Sequence, residues 1–284
     1  MSRPGTSRAK EPEKELSPSA AKLRLLKRLK CTTRFEKAAF ECGARLVAGV
    51  DEVGRGALFG CVVAGACILD PADRIRGLRD SKLLDAETRE RLAERIRRRA
   101  IAWAVAEVDV GRIDQLNIYH ASLLAMKLAV ERLVPQPDYL LVDAAVLDCP
   151  CAQRKIIHGD ALSASIAAAS ILAKVHRDAI VREWDAVYPQ YGLASNKGYS
   201  TPHHKQALRD FGPTPMHRQS FAPVYQNEWL QGELEFLDEQ AGQEALPLEL
   251  QDLSEEDFNE QDLNEHDSQK HDVQKHDLQE EDEC

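Results

Sequence analysis

The chain has 284 residues, 43% of them hydrophobic, and a formal net charge of −10. That length can bury a sizeable core. No stretch approaches the roughly 20 consecutive apolar residues of a membrane-spanning helix, which excludes a helical membrane protein. The charge is three separate objects: residues 231–284 hold 20 Asp and Glu against 2 Lys, residues 1–35 hold 10 Lys and Arg against 3 Glu, and the middle is close to neutral. This divides the chain into a basic arm (1–40), a balanced body (41–230) and an acidic tail (231–284). Seven cysteines at scattered spacing make no disulfide framework, and Cys149-Pro150-Cys151 reads as a reduced loop. With no apolar leader after the first charges, the reading is a cytoplasmic protein.

Taken in order, residues 1–20 mix Pro, Ser, Lys and Glu, a composition that stays disordered. Leucines at 23, 25, 26 and 29 among basic residues predict a short amphipathic helix over 20–30, with further helix over 35–44. Residues 46–50 form an apolar run suited to a buried strand. Asp51 and Glu52 follow directly, and carboxylates ending a buried strand need a partner or a cation. Neighbouring strand side chains point to opposite faces, so these two meet at one site only if the chain bends. Gly54 and Gly56 allow the bend and bare the backbone amides, while Arg55 brings a planar fork suited to phosphate. A solvated glycine turn accounts for the same residues; a dinucleotide fingerprint does not, because the third glycine is missing.

Residues 61–69 predict a second strand, close enough to the first for a hairpin, and Asp80-Ser81-Lys82 falls in a loop. Asp85 caps a helix through Arg99, and residues 100–108 form a third strand. One long helix is expected over 113–133, stopped by Pro135 and Pro137. Residues 139–143 are a strand ending in Asp143. Residues 154–158 are another, closing on Gly159-Asp160. Ser163 then opens a deeply buried helix to about Tyr188. So read, three strands end in acid. Ligand sites of α/β sheets gather at the carboxyl ends of strands, and four converging carboxylates, Asp51, Glu52, Asp143 and Asp160, repel one another unless cations sit between them. Oxygen-only donors favour Mg²⁺ or Mn²⁺ over zinc. Two such ions clamp the attacking and leaving oxygens of a phosphodiester. From the residues alone, the leading class is a metal-dependent nuclease on a mixed α/β sheet covered by helices.

The segments Val47-Ala-Gly-Val-Asp-Glu-Val-Gly-Arg-Gly56, Asp80-Ser-Lys82, Ile113-Asp114 with Leu116-Asn-Ile118, Leu141-Val-Asp143 and His158-Gly-Asp160 resemble those of bacterial ribonuclease HII. Ala168-Ala-Ser-Ile-Leu-Ala-Lys-Val175 with Arg177-Asp178, Tyr191-Gly192, Lys197-Gly-Tyr199 with Thr201 and His204, and His217-Arg218 with Ser220-Phe221 continue the likeness in the same order, over residues 45–224. It implies an RNase H-like mixed sheet flanked by helices, with a small C-terminal helical region. It implies a monomeric endonuclease that hydrolyses the RNA strand of RNA–DNA hybrids and incises at ribonucleotides embedded in duplex DNA, leaving 3′-hydroxyl and 5′-phosphate ends, as in ribonucleotide excision repair. Asp51, Glu52, Asp143 and Asp160 become the catalytic, metal-binding acids. Gly54, Arg55 and Gly56 would contact the 2′-hydroxyl at the cleavage junction, and Tyr199 would stack on the following sugar. Contacts to the 2′-hydroxyl are how proteins tell RNA from DNA.

Other positions stay open. Lys82 and Lys174 suit phosphate contacts and equally suit a solvated surface; His204 and His217 serve as proton carriers or as structural hydrogen-bonders. Asp178 and Glu183 read as solvated or paired, and Asp114 as a helix cap. Two departures stand out: the family usually has proline where Ala57 stands, which loosens the turn, and often a second lysine where Leu83 stands, which removes a basic contact. A sliding-clamp partner is not readable. A junction resolvase and a non-catalytic hybrid-binding module are the competing functions. In the tail, Asp recurs every fifth residue from Asp257 to Asp282, a period of neither helix nor strand; disorder is expected, with the tail competing with nucleic acid for the basic arm. His266, His271 and His276 make no rigid metal site there.

Overall fold

The computed structural model describes residues 28–224. The acidic tail and residues 1–27 of the basic arm, with most of the helix expected over 20–30, lie outside the described residues. Five strands form one mixed sheet in the order β3-β2-β1-β4-β5. β1 (Val47–Val53) pairs antiparallel with β2 (Val62–Leu69), which pairs antiparallel with β3 (Ala100–Val108). On its other side β1 runs parallel to β4 (Tyr139–Asp143), and β4 parallel to β5 (Ala152–Ile156). The hairpin holds, and the strand that carries the first two acids is the central one.

Helices cover both faces. α1 (Arg34–Glu41) precedes β1, α2 (Ala86–Arg99) precedes β3, and α3 (Val110–Leu116) and α4 (Ile118–Glu131) lead to β4. The short α5 (Gly159–Leu162) and the long α6 (Ala164–Val187) follow β5, and α7 (Leu193–Asn196) and α8 (Pro202–Phe211) close the described chain. On one face α4 sets Ala121, Ala125, Met126 and Ala129 against Ala48, Val50, Ala64 and Ala66. On the other, α6 crosses β1 and β2 at backbone contact. A Cβ built on Gly49 would lie 2.0 Å from the Ser165 carbonyl carbon, and one on Gly65 would lie 2.3 Å from the Ala169 oxygen. Only glycine in both strands, facing an alanine-rich helix, admits this approach. The N-terminus of α6 is held by Glu36, whose Oε1 accepts from Ser163 Oγ at 2.6 Å and from Ser165 N at 2.8 Å, as expected for a carboxylate at the positive end of a helix. α1, inside the segment read as the arm, thereby packs on the body.

Three expectations need correction. The helix over 113–133 is two helices: α3 begins earlier, capped by Asp109, and the chain breaks at Asn117, whose φ of 65° ends α3 while its side chain caps α4. Asp114 caps nothing. It accepts from the backbone N–H groups of Gln219 and Ser220 at 2.9 and 3.0 Å, tying the C-terminal segment to α3. The last strand spans Ala152–Ile156, and Asp160 stands on α5, beyond a left-handed turn at His158 (φ 58°). Polar residues at the sheet's edge carry too little periodic signal to mark where a strand stops.

Past α6, a second small core joins Phe59, Val181, Tyr191, Leu193 and Leu208, the C-terminal helical region. Among the described residues no helix is long and apolar enough to cross a membrane, and Cys31, Cys61, Cys67, Cys149 and Cys151 are free thiols.

Candidate active site

β1 and β4 are adjacent and parallel, so Asp51 and Asp143 arrive at the same end of the sheet. Asp51 is buried on the side of α6, and its Oδ1 accepts from Glu52 N at 2.8 Å. Burial raises its carboxyl well above the usual range, and repulsion from Glu52, Asp143 and Asp160 adds to the effect. Glu52, half-buried, is raised chiefly by burial, against the attraction of Arg55 at 3.3 Å. The Asp143 carboxyl is pushed up to about 6, first by burial and then by Asp160 and Glu52, while its Oδ1 accepts from Gly159 N at 2.7 Å. Asp160 is buried and receives Lys82 Nζ at 3.2 Å. The structure thus gathers the four predicted acids, although they come from two strands and a helix.

It also adds a fifth. Asp80 is 1% exposed, caps the 3₁₀ turn Ser81–Leu83 by accepting from Lys82 N, and leaves Oδ2 buried without a partner. Its carboxyl is raised by burial and then by Asp160. The signal in the sequence was Asp80-Ser81-Lys82 itself, to which no acid role was attached. Burial opposes the charge on Lys82, but Asp160, Asp80 and Asp51 outweigh it and raise the ammonium. Lys82 is thus the cation that the cluster holds.

An all-oxygen set of mutually repelling, desolvated carboxylates fits a hard divalent cation. Among the described residues no three His, Cys, Asp or Glu side chains close on one point; Asp51, Asp143 and Asp160 turn to Glu52 N, Gly159 N and Lys82 instead. The repulsion has a measurable sign. Because the folded Asp143 holds its proton more tightly than the unfolded chain does, its contribution to stability is full below pH 3.8 and is lost as pH rises through about 6. In chelator at pH 7.5, Asp143→Asn is expected to melt higher than the parent, by on the order of 1–3 kcal/mol in stability, with the gap closing near pH 4. A parent as stable as the variant at both pH values would contradict this.

Beside the acids, the chain turns through Gly54 (φ 94°), exposed Arg55 and exposed Gly56. Ala57 bridges Tyr199, and Leu58 N donates to Gly198 O at 2.8 Å, so the glycine loop and Tyr199 are brought together. The Tyr199 ring lies over the cations of Arg177 and Lys174, with centroid distances of 5.6 and 6.0 Å. Lys174 is not a free cation: its Nζ meets Asp178 at 2.6 Å. Ala57 N closes the turn on Gly54 O at 3.3 Å, a bond that proline could not make, so the departure at Ala57 replaces one restraint with another.

His204 and His217 are fully buried, with Nε2 atoms 3.0 Å apart. Thr214 N donates to His217 Nδ1 at 2.9 Å, which puts the His217 proton on Nε2. That proton is donated to His204 Nε2, and His204 Nδ1–H donates to Tyr199 O at 3.0 Å. Burial pushes His217 down to about 3 and lowers His204 as well. Both are neutral structural hydrogen-bonders, and they hold the backbone of Tyr199.

A mixed sheet in this order, helices on both faces and carboxylates at one end define a metal-dependent nuclease with the ribonuclease H fold. The crystal structure of ribonuclease H2 from Pyrococcus horikoshii OT3 superimposes with a TM-score of 0.58 and 26% identity, over 66% of this chain and 98% of that one. The sequence profile of the family Ribonuclease HII matches residues 48–224. Ribonuclease HII of Koribacter versatilis (strain Ellin345) is 67% identical over 237 residues, 84% of this chain and 93% of its own. That of Solibacter usitatus (strain Ellin6076) is 58% identical over 197 residues, 69% of this chain and 86% of its own. The chain belongs to the ribonuclease HII family, and it is an endoribonuclease acting on RNA–DNA hybrids with divalent metal.

Proposed function

We propose that the chain incises at ribonucleotides embedded in duplex DNA as well as within hybrids, acting as a cytoplasmic monomer and leaving 3′-hydroxyl and 5′-phosphate ends. Asp51, Glu52, Asp143 and Asp160 would hold two Mg²⁺ or Mn²⁺ ions, which supply charge to the attacking and leaving oxygens. The chain's own residues do the reading. Arg55 meets a phosphate, the Gly54–Gly56 backbone meets the 2′-hydroxyl, and Tyr199 stacks on the next sugar, where a second 2′-hydroxyl would crowd the ring. Lys82 leaves Asp160 for a phosphate once cations occupy the acids. Lys174 steadies the Tyr199 ring from behind, a smaller role than a phosphate contact.

The observation that carries this reading is the Ala57–Tyr199 bridge, which sets the sugar-reading groups side by side, one turn from the acids. The test is a labelled DNA duplex carrying one ribonucleotide, incubated with Mg²⁺ or Mn²⁺. A single nick on the 5′ side of that ribonucleotide, absent in chelator, is expected. Cutting confined to long hybrids would remove the junction role of Tyr199 and leave the nuclease intact.

A further inference from the structure

We propose that Arg218 and Arg177 are positioning residues for ribose recognition: from beneath the glycine loop they turn the Gly56 N–H outward to the 2′-hydroxyl and lock Tyr199 beside it. This rests on the reading of Gly54–Gly56 and Tyr199 given above.

Both guanidinium side chains are fully buried, and neither is ion-paired among the described residues. Burying such a charge is costly unless its donors are satisfied. Here all but one group of them are spent on main-chain carbonyls; Arg218 Nη2 is buried without a hydrogen-bond partner among the described residues. Arg177 donates through Nε to Cys61 O at 3.1 Å, Nη1 to Lys197 O at 2.9 Å and Nη2 to Phe59 O at 3.0 Å. Arg218 donates through Nε to Gly60 O at 3.0 Å and Nη1 to Arg55 O at 2.9 Å. One pair of side chains therefore fixes the backbone at 55, 59, 60, 61 and 197, spanning the loop and the turn that leads to Tyr199.

The direction of each peptide follows. In a trans peptide the C=O and the next N–H point opposite ways. With Arg55 O drawn inward by Arg218, the Gly56 N–H faces outward. That N–H donates to no protein group among the described residues, and nothing lies within 4 Å of the position a Gly56 Cβ would take. Gly54 has the opposite task. A Cβ there would lie 2.2 Å from Arg177 Nε, so Gly54 is glycine to admit the guanidinium below it, and Gly56 is the one open to a ligand.

The test uses the full chain carrying Asp51→Asn, in chelator, so that binding is read without cleavage. Affinities are measured by fluorescence anisotropy for two duplexes that differ only by one ribose in place of deoxyribose. The parent is expected to prefer the ribose duplex by about three- to tenfold, the value of one neutral hydrogen bond. Arg218→Gln and Arg177→Gln are expected to bring that ratio to near one, the ribose duplex losing more affinity than the all-DNA duplex. An unchanged ratio in both variants overturns the inference, as does an equal loss on both duplexes, which is what a general packing defect gives. A parent with no preference sinks the underlying reading of the loop instead. Should either variant fail to fold, the Gly56 amide resonance of the unsubstituted protein decides: it must shift with the ribose duplex and not with all-DNA, and a Gly56 resonance unmoved by both overturns the inference.

Discussion

Asp51→Asn is expected to cut a hybrid at less than about a thousandth of the parental rate while binding it no more weakly. The substitution keeps the shape and the carbonyl oxygen, which still accepts from Glu52 N as Asp51 Oδ1 does at 2.8 Å. It removes one negative charge from the cluster, at a carboxyl that burial and three other acids already raise. Fewer negative charges hold divalent cations less tightly, so the rate collapses. The same loss brings a phosphate backbone into a less repulsive site, so affinity without metal holds or rises. Single-turnover cleavage beside a binding titration in chelator separates the two. A variant within tenfold of the parental rate would remove Asp51 from the chemistry.

Gly49→Val should be the most damaging single change to stability. The new Cβ would sit 2.0 Å from a backbone carbon of α6 and 2.2 Å from the Ile166 nitrogen, and a main chain cannot rotate aside as a side chain can. The helix must lift from the sheet, opening space among residues packed at crystal-like density. Loss of about 3–5 kcal/mol is expected, a large share of the 5–15 kcal/mol typical of a folded domain. Denaturant midpoints measure it, and a shift under about 1 kcal/mol would show that α6 is less firmly seated than its contacts suggest. Because Asp160 stands on α5, directly before the same helix, it would be displaced with it.

Some of this could be read along the chain. Buried strands announce themselves as short apolar runs, Asp85 and Ser163 announce the helices they cap, and acids after such runs are costly enough to betray a site. Motif order alone was enough to suggest the family and to single out Asp51, Glu52, Asp143 and Asp160, because each lies within a few residues of a recognisable strand or turn. The break at Asn117 was missed because one left-handed residue leaves the surrounding apolar period nearly intact. What lay beyond reach depends on partners far apart in sequence. Lys82 meets Asp160 across 78 positions, Arg177 reaches Cys61 across 116, and Arg218 reaches Arg55 across 163. An arginine or histidine in a motif carries no mark of its own burial, and surface is the usual place for one. The sequence determined which chemical groups this protein owns. Only the tertiary structure decided that Asp80 joins the acids, that two arginines lie beneath the glycine loop and that two neutral histidines hold Tyr199, since desolvation and hydrogen bonding are properties of neighbours in space.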